Sequence, residues 1–385
     1  MKTMLSCSEL ESLVKSVFTL NQNDSKLGIL VDLPDNEIQD SIEWKQRREI
    51  ALSWYRNLSD IKSNLGLESI DIIYYENVHN NNADLPEHGY LIESGKTVNS
   101  VQSLISLNTR TSFHSIFANY QIFLALTQFS ATAPLKINAK KYNFRAATMP
   151  GFTADMIPAL RLDYNKINER VMIIKDLLDP ATGIHIQLLV DESTEYPLFF
   201  DIRHRAAHAS GGRFPETGIA GNLPSGECYI VPYEGELKDE SLSYGILPVQ
   251  LADEIVLYEI EENVARRILS KGRNSSAEAQ KLEQEPAYGN ISEIGFGILN
   301  DFGIKPTGSI LLDEKLGLHI AFGRSDHFGG AVGIKDFNDP ANVIHLDRIY
   351  IPETQPRVRV VDVTLEYPDR NDLTIIKDWH YTIFS

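Results

Sequence analysis

The sequence predicts an α/β protein in two parts: an amino-terminal α/β domain on a mainly parallel sheet, residues 1–182, and a β-rich α+β carboxy-terminal domain, residues 183–385. Three observations carry that prediction. From Lys26 to Phe129, apolar runs alternate with helical patterns, the rhythm of βα units. After about residue 183 the rhythm changes to strands and glycine-rich turns, with Gly211, Gly212, Gly218, Gly221 and Gly226 crowded into a segment with little room for helix. The length of 385 residues suits two domains, at roughly 150 residues each.

Taken in order, Leu27 to Asp32 (LGILVD) reads as a buried strand. Ile38 to Leu65 carries long-period hydrophobics without internal proline and is expected to form one long amphipathic helix. Ile70 to Tyr75 is a second strand, Asn77 to Asn82 with Pro86 a loop, Val98 to Leu107 a helix, and Ile122 to Phe129 a further core strand. Pro134 to Lys141 and Thr153 to Leu178 read as helical, the latter closed by Asp179-Pro180 and Gly183. Strands are expected at Ile184 to Val190, Pro197 to Ile202, Tyr229 to Pro232, Ile255 to Ile260, Ser309 to Leu312 and Arg357 to Leu365. The polar stretch Lys271 to Glu285 is expected to be a short exposed helix begun by Ser275 or Ser276.

Composition narrows the function. The apolar fraction of 43% is ordinary for a globular chain and argues against wholesale disorder. A net charge of −17 repels phosphate backbones and anionic lipid, so neither nucleic acid nor a membrane surface is an expected partner. Cys7 and Cys228 stand far apart, which offers neither a disulfide framework nor a thiolate zinc site. The amino terminus lacks the apolar run of a signal peptide, and no stretch approaches the roughly 20 apolar residues of a membrane span. A cytoplasmic protein is the expectation.

Seven of the ten histidines follow residue 183. The most informative stretch is DEKLGLHIAFGRSDHFGG, beginning at Asp313, and the later His345-Leu346-Asp347. The i, i+2 spacing puts His345 and Asp347 on one face of a strand, where imidazole and carboxylate converge on one ion. His319 lies in a second apolar strand pattern, and two histidines with a carboxylate make a divalent-metal set that also suits ferrous iron. Each histidine taken singly reads as a hydrogen-bonded core residue; the cluster is what points to metal. Glu227, entering a hydrophobic strand after Asn222-Leu223-Pro224-Ser225-Gly226, and Glu293, within Ile291-Ser292-Glu293-Ile294-Gly295-Phe296, are acids in apolar surroundings, which are costly unless paired or bound to a cation.

Through NLPSGE, the isolated Glu293, DEKLGLHIAFG and the closing HLD, in that order, residues 200 to 350 resemble the aminopeptidase T family of dinuclear metallopeptidases. The resemblance implies two metal ions, zinc, cobalt or manganese, held by Glu227, a bridging Glu293, His319, His345 and Asp347. It implies hydrolysis of an amide or peptide bond in a small molecule or short peptide, and a homodimer. The family tyrosine that follows the HxAxG strand is missing: Arg324-Ser325-Asp326-His327-Phe328-Gly329-Gly330 stands there. His327 is the candidate replacement as general acid or donor, and Arg324 the candidate substrate anchor. The wider superfamily also includes a mononuclear iron enzyme, 2,5-dihydroxypyridine dioxygenase, so ring cleavage with Fe(II) is the alternative reading. A chain that keeps the fold without chemistry would retain no metal.

Two other groupings are weaker. The run Gly329-Gly330-Ala331-Val332-Gly333 lacks the GK[ST] of a phosphate loop and is expected to be a turn giving access to the site. Arg203, His204, Arg205, His208 and Arg213 form a small cationic group that suits a substrate carboxylate or a solvated surface equally.

Overall fold

A computed structural model describes residues 4–92, 98–105 and 109–384. In chain order its first strands are β1 (Lys26–Leu33), β2 (Ser69–Glu76), β3 (His88–Leu91), β4 (Arg110–Ser112), β5 (Ile122–Ala125), β6 (Arg145–Thr148), β7 (Gly183–Val190), β8 (Thr194–Asp201), β9 (His208–Ser210) and β10 (Ile219–Asn222). There follow β11 (Glu227–Ile230), β12 (Tyr244–Leu251), β13 (Glu254–Glu261), β14 (Val264–Ile268), β15 (Ile291–Gly297), β16 (Leu318–Gly323), β17 (His345–Tyr350), β18 (Val358–Glu366), β19 (Leu373–Lys377) and β20 (His380–Tyr381). The helices are α1 (Cys7–Phe18), α2 (Ile42–Asp60), α3 (Val101–Ile105), α4 (Phe113–Asn119), α5 (Thr132–Tyr142), α6 (Ile157–Leu160), α7 (Tyr164–Leu178), α8 (Arg273–Gln284) and α9 (Ile310–Asp313).

Two compact units form, each from separated segments: residues 1–168, 210–225 and 307–312, and residues 169–209, 226–306 and 313–385. The first is built on a seven-stranded sheet of order β10-β6-β5-β1-β2-β3-β4. The pairs β1/β2, β1/β5, β5/β6 and β6/β10 are parallel, and only the β2/β3 and β3/β4 pairs are antiparallel. Continuous burial along β1 is what a central parallel strand covered on both faces requires. Phe117, Phe123 and Phe144 anchor its core, with the rings of Phe123 and Phe144 4.8 Å apart, edge to face. The second unit holds an eight-stranded sheet, β14-β13-β12-β8-β7-β18-β19-β20, and a five-stranded sheet, β17-β16-β15-β11-β9. The α/β class with a mainly parallel first sheet and a β-rich second part is the architecture observed.

Several elements differ from the sequence-based expectation. The long helix spans only Ile42–Asp60: Asp35 Oδ1 accepts from the backbone N–H of Glu37 and Ile38, both at 2.8 Å, turning the chain before Ser41 caps the helix at Trp44 N. The expected helix from Thr153 is interrupted after Leu160, and Asp163 restarts it by accepting from Asn165 N at 3.0 Å. Ser309 to Leu312 is not a strand but the helical turn α9. Of the expected helix Val98 to Leu107, α3 forms Val101–Ile105, and the last two positions lie outside the described residues.

The cap of α8 is also different. Ser275 and Ser276 sit inside it, and the Glu254 carboxylate from β13 accepts from Asn274 N and Ser275 N at 2.9 and 2.7 Å. Among the described residues, no helix is long and apolar enough to cross a membrane.

Candidate metal centre

The five-stranded sheet gathers the acids and imidazoles singled out above. Along β15 and β16 every residue is buried, so alternation sends half their side chains into one closed layer. Register aligns Glu293 with Ala321 and Ala321 with Asp347, and it aligns Tyr229 with Gly295 and Gly295 with His319. Glu227 faces Gly297, and His345 faces Gly323. Each large polar group thus has a glycine or alanine across the strand, which leaves space for it to lie over its neighbour. A register shift between Ile291 and Glu293 bends β15 at Ser292, whose Oγ stands 3.2 Å from His345 Nδ1.

The two imidazoles take opposite oxygens of one carboxylate. His319 Nε2 is 3.2 Å from Glu293 Oε1 and 3.7 Å from Glu227 Oε2. His345 Nε2 is 3.4 Å from Glu293 Oε2 and 3.6 Å from Asp347 Oδ1. On the far side of each ring, Nδ1 faces a carbonyl oxygen, that of Gly317 at 3.3 Å for His319 and that of Arg324 at 3.0 Å for His345. With Nδ1–H donating to those carbonyls, each Nε2 points among the carboxylates, where its proton would give way to an ion, the arrangement that orients metal-ligating histidines.

Two ligand groups result, Glu227–Glu293–His319 and Glu293–His345–Asp347, with all donor atoms in each within 4.8 Å of one another. Oxygen and nitrogen ligands at about 2.0–2.2 Å from one ion stand roughly 3–4 Å from each other, and the separations above lie in that range. Glu227 Oε2 is buried and has no hydrogen-bond partner, so the Glu227 end of the site keeps unused acceptor capacity. The residues therefore fit a divalent metal.

Comparison with family models and with curated proteins finds no match. Comparison of the fold with solved structures does. It matches 2,5-dihydroxypyridine dioxygenase from Pseudomonas putida KT2440 at a TM-score of 0.59 and 13% identity, over 98% of both chains. It matches wild-type AmpT, an aminopeptidase T, from Thermus thermophilus at a TM-score of 0.54 and 12% identity, over 98% of this chain and 99% of that one. The chain shares the fold of both proteins.

Electrostatics within the site follow from burial and proximity. Burial opposes charge on His319, but the hydrogen bond it donates to Glu293 and the charges of Glu293, Glu227 and Asp347 outweigh it and push the imidazole up to about 9. His345 is raised well above its ordinary value against the same burial cost, through Asp347 and Glu293. Glu293, although buried, is held below the usual carboxylate range by the two histidines. Glu227 is raised by burial, against the pull of Lys315 and His319.

Lys315 and Glu314 escaped the sequence reading. The Lys315 ammonium, 2% exposed, contacts both Glu227 Oε1 and Glu314 Oε1. Burial pushes Glu314 up to about 8, against Lys315 and with the help of Glu227 and Asp347. A Glu-Lys pair ordinarily signals a solvated surface, so nothing in the sequence marked these two as buried.

Tyr229 was also missed. It stands two residues from Glu227 on the same face, and burial together with the charges of Glu293 and Glu227 holds its phenol un-ionised. Its ring meets Phe328 at 5.0 Å and stacks with His208 at 5.2 Å. Phe328 and His327 in turn pack 5.1 and 5.5 Å from His345.

His327 is driven down to about 4 by burial and by the charges of His345 and Arg324, against Asp326, so at neutral pH it is an uncharged imidazole. That form accepts a proton, or donates its N–H, and does not carry the charge of an imidazolium acid. The Arg324 guanidinium is paired with Asp326 at 2.5 Å, while its backbone oxygen orients His345.

The loop 324–333 is pinned from below by the buried Glu234, which accepts from Ser325 Oγ at 2.6 Å, Asn290 Nδ2 at 2.7 Å and Ala331 N. Arg205 joins this anchorage, donating to Gly329 O at 3.2 Å and standing 3.5 Å from Glu234 Oε2. Arg203 is forked onto Asp201 at 2.7 and 2.9 Å, Arg205 pairs with Glu236 at 2.5 Å, and Arg213 donates to Ser16 O and Thr19 Oγ1 at the end of α1. Arg203 and Arg205 are thus held by carboxylates of their own unit.

Proposed function

We propose that the chain is a divalent-metal-dependent hydrolase, aminopeptidase-like, that cleaves an amide or peptide bond in a small molecule or short peptide. The observation that carries this reading is Glu293, whose two oxygens face His319 and His345 separately. Each ligand group consequently offers one imidazole and two carboxylates. A ferrous oxygenase of the facial-triad type draws two histidines and one carboxylate to a single ion, and neither group has that composition. The same comparison weighs against ring cleavage, the alternative reading.

When bound, a divalent ion supplies a Lewis acid for the scissile carbonyl and a water acidified to near neutral pKa. Glu293, His345 and Asp347 would hold it, and the Arg324 carbonyl would keep the His345 imidazole in the ligating tautomer. Tyr229 presents an un-ionised phenol beside the carboxylates and donates a hydrogen bond to the oxyanion that develops on the substrate. His327 receives a proton from, or returns one to, the reacting groups.

The test is Glu293→Gln in the full chain, with metal content and hydrolysis of amino-acid anilides and dipeptides measured together. Loss of both is expected. Retention of activity and metal by the variant would overturn the reading, as would oxygen-consuming ring cleavage by the iron-loaded wild type.

A further inference from the structure

We infer that Lys315 supplies, as a fixed ammonium, the positive charge that a second cation would bring, so that each chain holds one divalent ion, on Glu293, His345 and Asp347. The inference rests on the metal-dependent reading above and concerns the number and seat of the ions. The two ligand groups share Glu293 but differ in their other neighbours. In the Glu227–Glu293–His319 group, Oε1 of Glu227 is already taken by the Lys315 ammonium, which Glu314 closes from the other side. Among the described residues, no lysine or arginine ion-pairs with Glu293 or Asp347.

The lysine is held there by the main chain. Glu227 lies opposite Gly297 in the β11/β15 register, and the backbone of Lys315 rests directly on Gly297. A Cβ at 297 would stand 2.2 Å from the Lys315 carbonyl carbon. Leu299 N donates to the Lys315 carbonyl at 2.8 Å, which fixes the residue beside the strand end. From this position the 2%-exposed side chain reaches Glu227 without a route to solvent.

A cation in the Glu227 group would sit beside this charge, in surroundings too dry to screen it. The other group has no such neighbour. Lys315 lies between Glu227 and Glu314 as their shared counter-charge, and Glu293 with Asp347 supply two negative charges, which match one divalent ion. Removing the ammonium would free both oxygens of Glu227, since Oε2 has no hydrogen-bond partner.

The full chain is loaded with Co²⁺ or Zn²⁺, freed of excess ion, and its metal counted by elemental analysis, with the cobalt visible spectrum followed in a titration. The wild type is expected to saturate at one ion. Glu227→Gln should also hold one, with affinity within about threefold of wild type, because that carboxylate is not a ligand in the occupied seat. Asp347→Asn should hold none. Lys315→Met, checked by circular dichroism for folding, should take up two.

Two ions in the wild type, or one fewer in Glu227→Gln, would overturn the inference and leave the hydrolase reading standing. A folded Lys315→Met that stays at one ion would also overturn it. A wild type that binds no ion would overturn the metal-dependent reading itself, and this inference with it. If Lys315→Met does not fold, the wild-type and Glu227→Gln counts decide.

Discussion

His319 lies in the space that a side chain on residue 295 would need. A Cβ built on Gly295 would come within 1.9 Å of His319 Nε2 and 2.0 Å of its Cε1. The two residues are paired in the β15/β16 register, so the imidazole leans across its neighbouring strand to reach Glu293. The glycine serves the site by having no side chain, not by an unusual backbone angle.

Gly295→Ala is therefore expected to displace the imidazole while leaving the fold intact. Overpacking of this kind costs about 1–3 kcal/mol, which would lower Tm by several degrees. His319 supports Glu293 Oε1 without itself being a ligand in the seat on Glu293, His345 and Asp347, so metal affinity should fall about tenfold, as when a ligand's supporting contact is lost, with the count unchanged at one. Calorimetric titration with Zn²⁺ together with thermal melting separates the two effects; unchanged affinity would mean that His319 does not position Glu293.

Glu234 is a positioning residue for the loop that carries His327. Glu234→Ala removes the acceptor of the buried Ser325 Oγ and of the exposed Ala331 N, and one of the two acceptors of Asn290 Nδ2, which keeps Gly323 O, at about 1–3 kcal/mol for the hydroxyl left unsatisfied. Faster amide exchange is expected across residues 324–333, with reduced kcat and an unchanged metal count. Exchange confined to wild-type rates would show that other contacts hold the loop.

Tyr229→Phe removes the phenol and keeps the ring against Phe328 and His208. A drop in kcat of roughly 10- to 100-fold is expected, with KM and metal affinity little changed. An equal loss in KM with kcat intact would assign the phenol to substrate binding instead.

Stability should depend on pH through Asp32 in the first unit. Burial raises this carboxyl to about 6, although Gln128 N, Phe129 N and Trp44 Nε1 all donate to it. Because the folded value exceeds the ordinary value of 3.8, the folded chain binds the proton more tightly than the unfolded one. The contribution is fully present below pH 3.8 and is lost as pH rises through about 6. Between pH 4.5 and 7 the loss amounts to about 2 kcal/mol. Urea unfolding of wild type and Asp32→Asn at both pH values checks it: the difference between the two proteins should shift by that amount, with the wild type relatively weaker at pH 7.

Much of this architecture could be read from local pattern. LGILVD reads as a buried strand because a nearly continuous apolar run can be satisfied only by burial on both faces. The spacing in His345-Leu346-Asp347 put imidazole and carboxylate on one face because side chains alternate along a strand. The cap of α8 was not readable in the same way, since it comes from Glu254, about twenty residues earlier on another strand. Nor was the pairing of Arg205 with Glu236, which the chain brings together only on folding.

By itself the sequence determined the α/β class and the five residues Glu227, Glu293, His319, His345 and Asp347 that the sheet gathers, because strand periodicity and apolar runs are properties of neighbouring residues. Tertiary structure alone decided which charges lost their water. Glu314 and Lys315 are adjacent polar residues in the chain, and only packing against Gly297 turns Lys315 inward onto Glu227. Whether a charge is solvated or buried depends on what long-range register places over it, and that information is not present in any local stretch of chain.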